Sequence, residues 1–251
     1  MVQIDVVLPV PVRDLDDDAI AAAYQADAVR SPWLRVNFVS SIDGAATADG
    51  LSAGLGGDAD HRVFGILRRL SDVVLVASGT VLAEGYGPMV LDDESVAWRQ
   101  AHGLQAQPVF AIVTGRLDLD PTSAIFTDAP VRPIIVTTAS SPAGPRAALA
   151  KVADVLICGE TEVEPVSMVQ QLAARGLARI HCEGGPSFFG SLLDADVVDE
   201  LCLTLSPLLE AGTSGRIAHS ATADSRGMNL SGVLHSGDTL LLRYTRARSA
   251  G

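Results

Sequence analysis

Arg179-Ile180-His181-Cys182-Glu183-Gly184-Gly185-Pro186-Ser187-Phe188-Phe189-Gly190-Ser191-Leu192-Leu193 reads as a short buried strand, a two-glycine corner and a helix. Pro186 suits the first helical position, where a missing N–H costs nothing. Phe189, Leu192 and Leu193 then recur at helical spacing. Glycines allow a ligand to approach the backbone, and the free N–H groups of the helix start point toward it. An anion such as a phosphate is the occupant that the helix dipole and these donors favour. The other reading of Gly184-Gly185 is a tight strand-to-helix turn and nothing more. Glu183 weighs against that second reading. A carboxylate is of no use to a phosphate, but it can accept N–H or O–H bonds from a ribose or a heterocycle on the same ligand.

The rest of the composition fits a sheet covered by helices. The chain has 251 residues, enough for one α/β domain or at most two small ones. Its hydrophobic content is 48% but aromatics make up only 4%, so the core is aliphatic. A net charge of −12 argues against nucleic acid or an anionic membrane as partner, and leaves any anionic ligand to local donors. The start, Met1-Val2-Gln3-Ile4-Asp5, carries no signal-peptide pattern, and no run reaches the ~20 apolar residues of a membrane span. Cys158, Cys182 and Cys202 are odd in number and lie in apolar runs, as reduced core thiols of a cytoplasmic protein would.

Before the corner, the chain alternates strand and helix. Residues 1–32 read as an N-terminal helical appendage, with Asp16-Asp17-Asp18 capping a helix through Ala19–Ala28 that Ser31-Pro32 ends; 33–251 read as one domain. Val36–Ser40 is the first expected strand and runs into Ser41-Ile42-Asp43-Gly44. Asp43 is either a hairpin residue or a carboxylate at a strand end, where open α/β sheets gather ligands. Residues 45–60 are expected to be a mobile loop or lid. Its Gly54-Leu55-Gly56-Gly57-Asp58-Ala59 matches a dinucleotide fingerprint only formally, because no apolar strand precedes it. Val63, Phe64, Leu67 and Leu70 mark a helix, beside which Arg68 or Arg69 reaches a pocket or lies solvated.

Further strands are expected at Val73–Ala77, Val109–Val113, Ile134–Thr137 and Val155–Cys158, the second of them leading into Thr114-Gly115-Arg116. A helix over Val166–Arg175 closes on Gly176. After the corner, residues 201–206 alternate as a strand with a more polar face, 210–238 read as loop, and Leu240–Tyr244 as the last strand. The sum is about eight strands, mostly parallel, with antiparallel edge strands. His181 and Cys182 face opposite sides of a strand, the other histidines lack ligand spacing, and no serine-hydrolase elbow occurs. Metal and covalent-nucleophile chemistry are therefore set aside.

Taken in order, Ser41-Ile42-Asp43-Gly44, Leu67-Arg68 before Ser71-Asp72, Ala77-Ser78-Gly79-Thr80-Val81-Leu82-Ala83 and Glu183-Gly184-Gly185-Pro186-Ser187 resemble the reductase domain of the bacterial riboflavin-biosynthesis deaminase/reductase. The resemblance covers about residues 33–245 and implies a three-layer dihydrofolate reductase-like α/β fold, here as a stand-alone reductase. It implies NADPH as cofactor, a pyrimidine of the 5-amino-6-ribosylaminouracil type as substrate, and a homodimer. Thr80 and Glu84 would meet the nicotinamide end, Gly184, Gly185, Pro186, Ser187 and Phe188 the diphosphate, and Val163 the adenosine side. Thr114 and Arg116 follow a strand end on that side, and Arg116 is the cation chosen on chemical grounds for a 2′-phosphate. Ser52, Arg68 and Glu183 fall at substrate positions, and Asp43 is the expected catalytic acceptor.

One stretch departs from the family. Where its members read D-D-P followed by an arginine, this chain has Glu84-Gly85-Tyr86-Gly87-Pro88 and no arginine before Arg99. A non-phosphorylated bicyclic substrate, a dihydropterin or dihydrofolate, fits the same cofactor geometry. A catalytically silent NADP-binding module is the reading from another class.

Overall fold

The computed structural model describes residues 1–25, 32–222 and 224–247. In chain order the elements are β1 (Asp5–Leu8), α1 (Asp17–Tyr24), β2 (Trp33–Ser41), a 3-10 turn (Ser52–Gly54), α2 (Asp58–Arg69), β3 (Val73–Ala77), α3 (Ser78–Ala83), α4 (Asp93–Ala101), β4 (Val109–Val113) and α5 (Ala124–Thr127). Then come β5 (Ile134–Thr137), α6 (Ala143–Leu149), β6 (Asp154–Ile157), α7 (Pro165–Ala173), β7 (Arg179–Cys182), α8 (Pro186–Asp194), β8 (Glu200–Ser206), β9 (Met228–Ser236) and β10 (Thr239–Arg246).

All ten strands form one sheet in the order β1-β9-β10-β8-β2-β7-β3-β4-β5-β6. From β8 to β6 the pairing is parallel, and β1, β9 and β10 close the other end antiparallel. Period-2 alternation divides the core into layers. On β3, Val73 and Leu75 face one side with Met168 and Leu172 of α7 and Phe189 and Leu192 of α8. Val74 and Val76 face the other, against Val81, Phe126 and Leu149 from α3, α5 and α6. The same second side continues under α1 and α2, where Ile20, Val63, Ile66 and Leu67 pack on Cys202 and Leu241. The architecture is therefore helix layer, sheet, helix layer.

Two strands lie outside the sequence expectation. β9 occupies part of 210–238, and β1 sits in the segment expected to be a helical appendage, hydrogen-bonded to β9 in the common sheet. Both have weak patterning of their own; their partners define them. α1 is capped by Asp16 as expected and its C-cap is Gln25, while Ala26–Ala28 and Ser31 of the expected helix lie outside the described residues.

β8, the strand with the more polar face, is interior to the sheet. It lies between β10 and β2, and its polar face is the buried one. Glu200 accepts from Arg35 Nε at 2.8 Å, Arg243 Nε at 2.9 Å and Trp33 Nε1 at 2.9 Å, while Leu201, Leu203 and Leu205 keep partial exposure. Burial of a carboxylate requires such pairing. With two guanidinium groups against it, Glu200 is held down to about 2 despite its burial.

Candidate active site

Following Glu183, the chain turns sharply. Gly184 has φ +92°, the Gly184–Gly185 peptide is cis, and Pro186 starts α8. The corner is bonded back to β3 through Glu183 N to Leu75 O at 3.0 Å and Ala77 N to Gly184 O at 2.8 Å. A Cβ on Gly184 would stand 2.9 Å from Phe38 Cζ, and one on Gly185 2.5 Å from Thr80 Oγ1. Gly184 also needs its positive φ, and a side chain at Gly185 would force Thr80 to move. Phe38 in turn stacks on Phe189 at 5.2 Å, which fixes the helix start against β2.

In front of this corner lies a cleft of about 380 Å³. Thr80, Gly185 and Pro186 form one end, and Thr47, Ser52 and Gly56 belong to the wall built by the loop after β2. Along α2, Asp60, Phe64 and Arg68 recur every fourth residue and line it together. Glu84 Oε1 accepts the Ser52 N–H at 2.9 Å, which ties the loop wall to the end of α3.

Glu183 is the best-connected group in the cleft. Arg68 donates to both its oxygens, Nε to Oε1 at 2.6 Å and Nη2 to Oε2 at 2.8 Å, and Tyr86 OH donates to Oε2 at 2.9 Å. The arginine holds its carboxyl near 2 although burial alone would raise it. Burial and the adjacent carboxylate push the Tyr86 phenol up, so it stays a donor at neutral pH. Arg68 Cζ also lies 4.2 Å over the Phe64 ring. His181, two residues before Glu183 on the same face of β7, is almost fully buried and places Nε2 3.4 Å from Oε1. Among the described residues neither of its ring nitrogens has a hydrogen-bond partner, and burial pushes its pKa down.

Asp60 differs from Glu183. It is 8% exposed, Thr204 Oγ1 on β8 donates to its Oδ1 at 2.6 Å, and burial raises its pKa. The sequence reading passes over both Asp60 and Tyr86. The recurrence of Asp60, Phe64 and Arg68 at i, i+4 and i+8 is the signal that would have found the first; Tyr86 has none, because it sits in a turn.

The structure thus gathers Ser52, Arg68, Thr80, Glu84, Glu183, Gly185 and Pro186 around one cleft. Phe188 and Val163 lie in a second groove on the other side of the α8 start, with Gly115, Thr138 and Ser191. Ser187 is exposed at the helix start between them. Thr114 is buried, its hydroxyl accepting the Leu117 N–H at 3.0 Å, and Arg116 is exposed beyond β4. Asp43 is not among the residues lining either groove. Its carboxylate accepts from Ser41 Oγ, from Ala211 N at 2.7 Å and from Glu210 N at 3.2 Å, and these donors hold it at about 2. Asp43 thereby ties the turn after β2 to the loop after β8. Arg99 is fully buried and donates to the carbonyls of Arg69, Ser71 and Gln105, so it offers nothing to a ligand. Among the described residues no group of three His, Cys, Asp or Glu is placed to hold a metal, and no helix is long and apolar enough to cross a membrane.

Comparison with known proteins gives this geometry a family. A 2,5-diamino-6-ribosylamino-4(3H)-pyrimidinone 5′-phosphate reductase from Archaeoglobus fulgidus is 29% identical over 182 residues, covering 72% of this chain and 83% of the relative. The reductase of the same name from Methanothermobacter thermautotrophicus is 28% identical over 221 residues, 85% of this chain and 98% of that one. A pyrimidine reductase-like protein from Corynebacterium diphtheriae superposes with a TM-score of 0.79 at 27% identity, covering 87% of this chain and 93% of its own. The sequence pattern of the RibD C-terminal domain matches residues 32–242, and the chain belongs to that family, the reductases of riboflavin biosynthesis.

Proposed function

We propose that this protein is an NADPH-dependent reductase that delivers hydride to a ribosylaminopyrimidine. The observation that carries the reading is the position of the α8 N-terminus: Gly185 and Pro186 line the main cleft and Phe188 lines the second groove. A dinucleotide laid over that helix start has its diphosphate at the backbone N–H groups and one half in each groove. Thr80 borders the nicotinamide half, Val163 and Phe188 the adenosine half, and Arg116 is the cation for a 2′-phosphate.

When bound, the nicotinamide supplies the hydride. The chain's own residues orient and enclose. Glu183 fixes Arg68 and Tyr86 in the cleft, and the Glu84–Ser52 bond holds the loop wall that keeps water from the reacting carbon. The relatives' names give the substrate class, a 6-ribosylaminopyrimidine phosphate. Incubation with NADPH and 2,5-diamino-6-ribosylamino-4(3H)-pyrimidinone 5′-phosphate should consume the cofactor's absorbance and yield the ribityl product. Reduction of dihydrofolate alone would sink the pyrimidine assignment, and reduction of neither would sink the enzyme assignment.

A homodimer is part of the proposal. Leu201, Leu203 and Leu205 stand opposite Tyr244, Leu242 and Leu240 across β8 and β10, an apolar sheet face that keeps partial exposure. Light scattering should give twice the 26.1 kDa of one chain; the single-chain mass would refute it.

A further inference from the structure

Three carboxylates line the main cleft: Asp60, Glu84 and Glu183. Glu183 is matched on both oxygens by Arg68 and Tyr86, and Glu84 is bonded to the Ser52 backbone. Asp60 is more than nine-tenths buried and anchored through Oδ1 to Thr204. Its Oδ2 is directed to the Gly56 side of the cleft, where a Cβ on that glycine would lie 3.0 Å from it. Among the described residues no hydrogen bond is made to Oδ2 and no arginine or lysine pairs with the group; the His61 ring, beside the same point of the cleft, is the neighbour that acts on its charge. One oxygen is thus satisfied by Thr204 and the other faces the cleft, and burial raises the group's pKa. Such a group suits a ligand that brings its own donors.

Its placement limits what the ligand can be. Asp60 lies two turns before Arg68 on the cleft-facing side of α2, about 12 Å along the axis, with Phe64 between them. A pyrimidine ring covers only part of that interval, so a ring seated at Asp60 leaves room toward Arg68 for the group it carries. The two ring types at issue differ at one edge. A 2-amino-4(3H)-pyrimidinone presents N3–H and the 2-amino group side by side, two donors that match the two oxygens of a carboxylate. A uracil presents a single N–H flanked by carbonyl oxygens, one of which would then face a carboxylate oxygen.

We propose that Asp60 is the specificity-determining residue that selects a 2-aminopyrimidinone over a uracil, by accepting its N3–H and 2-amino donors. The inference rests on the pyrimidine reductase reading and adds to it the choice between the two substrate types. Thr204 holds the carboxylate in the plane the edge requires. Glu183, at the other end, is a positioning residue for Arg68.

The test compares kcat/KM of wild type and Asp60→Asn on the 2,5-diaminopyrimidinone and the 5-aminouracil ribosylamino phosphates, with NADPH saturating. Asn keeps an acceptor for Thr204 but presents one acceptor and one donor to the ring. Wild type should favour the 2-amino substrate at least tenfold. Asp60→Asn should lose ten- to a hundredfold on that substrate through KM, collapsing the ratio, with the NADPH dissociation constant unchanged. A wild-type preference for uracil, or a ratio that Asp60→Asn leaves intact, overturns the proposal. Calorimetry with the free bases, 2-amino-4(3H)-pyrimidinone and uracil, on the NADP⁺-saturated protein gives a readout independent of turnover. A 2-amino preference that Asp60→Asn abolishes upholds the role of Asp60 even if no substrate is reduced, an outcome that would sink the reductase reading alone. Equal binding of the two bases overturns it.

Discussion

Glu183 is the residue on which the cleft's internal order depends, and its energetics can be read from its partners. Its carboxyl is held near 2, below the ordinary 4.5, so folding favours the ionised form. The resulting stabilisation is complete above about pH 4.5 and fades as pH falls through 2. Glu183→Gln should cost about 2–3 kcal/mol in urea unfolding at pH 7, at the low end for a broken buried pair because Arg68 keeps some solvent. The gap between wild type and variant should narrow as pH is lowered through that window. A gap that stays constant with pH would mean that the ion pair is not its source. At this scale the sequence is informative where a residue sits in a motif: Glu183, Arg68 and Thr80 stand in recognisable runs, and the structure gathers them about one cleft. Asp60 and Tyr86 escape because their roles depend on what faces them, Thr204 from β8 in one case and Glu183 from β7 in the other. Asp43 shows the converse. Its strand-end position drew attention, yet its oxygens accept donors from Ser41, Glu210 and Ala211, the last two on a loop far along the chain.

The elements with strong patterns of their own were the legible ones. β3, β4 and β5 lie at the limits the apolar runs imply, since a strand buried on both faces is written as a continuous hydrophobic stretch. α8 begins at Pro186 as its sequence dictates. β9 was not legible: Asn229, Ser231, Gly232, His235 and Ser236 give it no clean alternation, and it exists because β10 and β1 supply partners on either side. β8 has a clean alternation, but the alternation alone does not say which face is buried. Polar residues face inward there because Arg35, Arg243 and Asp60 wait for them, so burial follows partners and not side-chain polarity alone. The diglycine corner joins β7 to α8 and is defined by contacts on both sides: Phe38 from β2 closes on Gly184 and Thr80 from α3 on Gly185.

For the whole molecule, the parallel part of the sheet brings the ends of β2, β3 and β7 together under the start of α8, where a doubly covered α/β sheet places its ligand. A chain with net charge −12 does not attract a dinucleotide by its overall field, so the proposed binding rests on local backbone donors at that helix start. The most direct measurement of this claim is an NADPH titration of wild type against Ser187→Asp. Ser187 is exposed in the first turn of α8, where an acid favours the helix dipole and leaves folding intact. The same acid would face the diphosphate. The account predicts an unchanged or raised melting temperature together with NADPH affinity weakened at least about tenfold, ~1.4 kcal/mol. Wild-type affinity retained by the variant would contradict it.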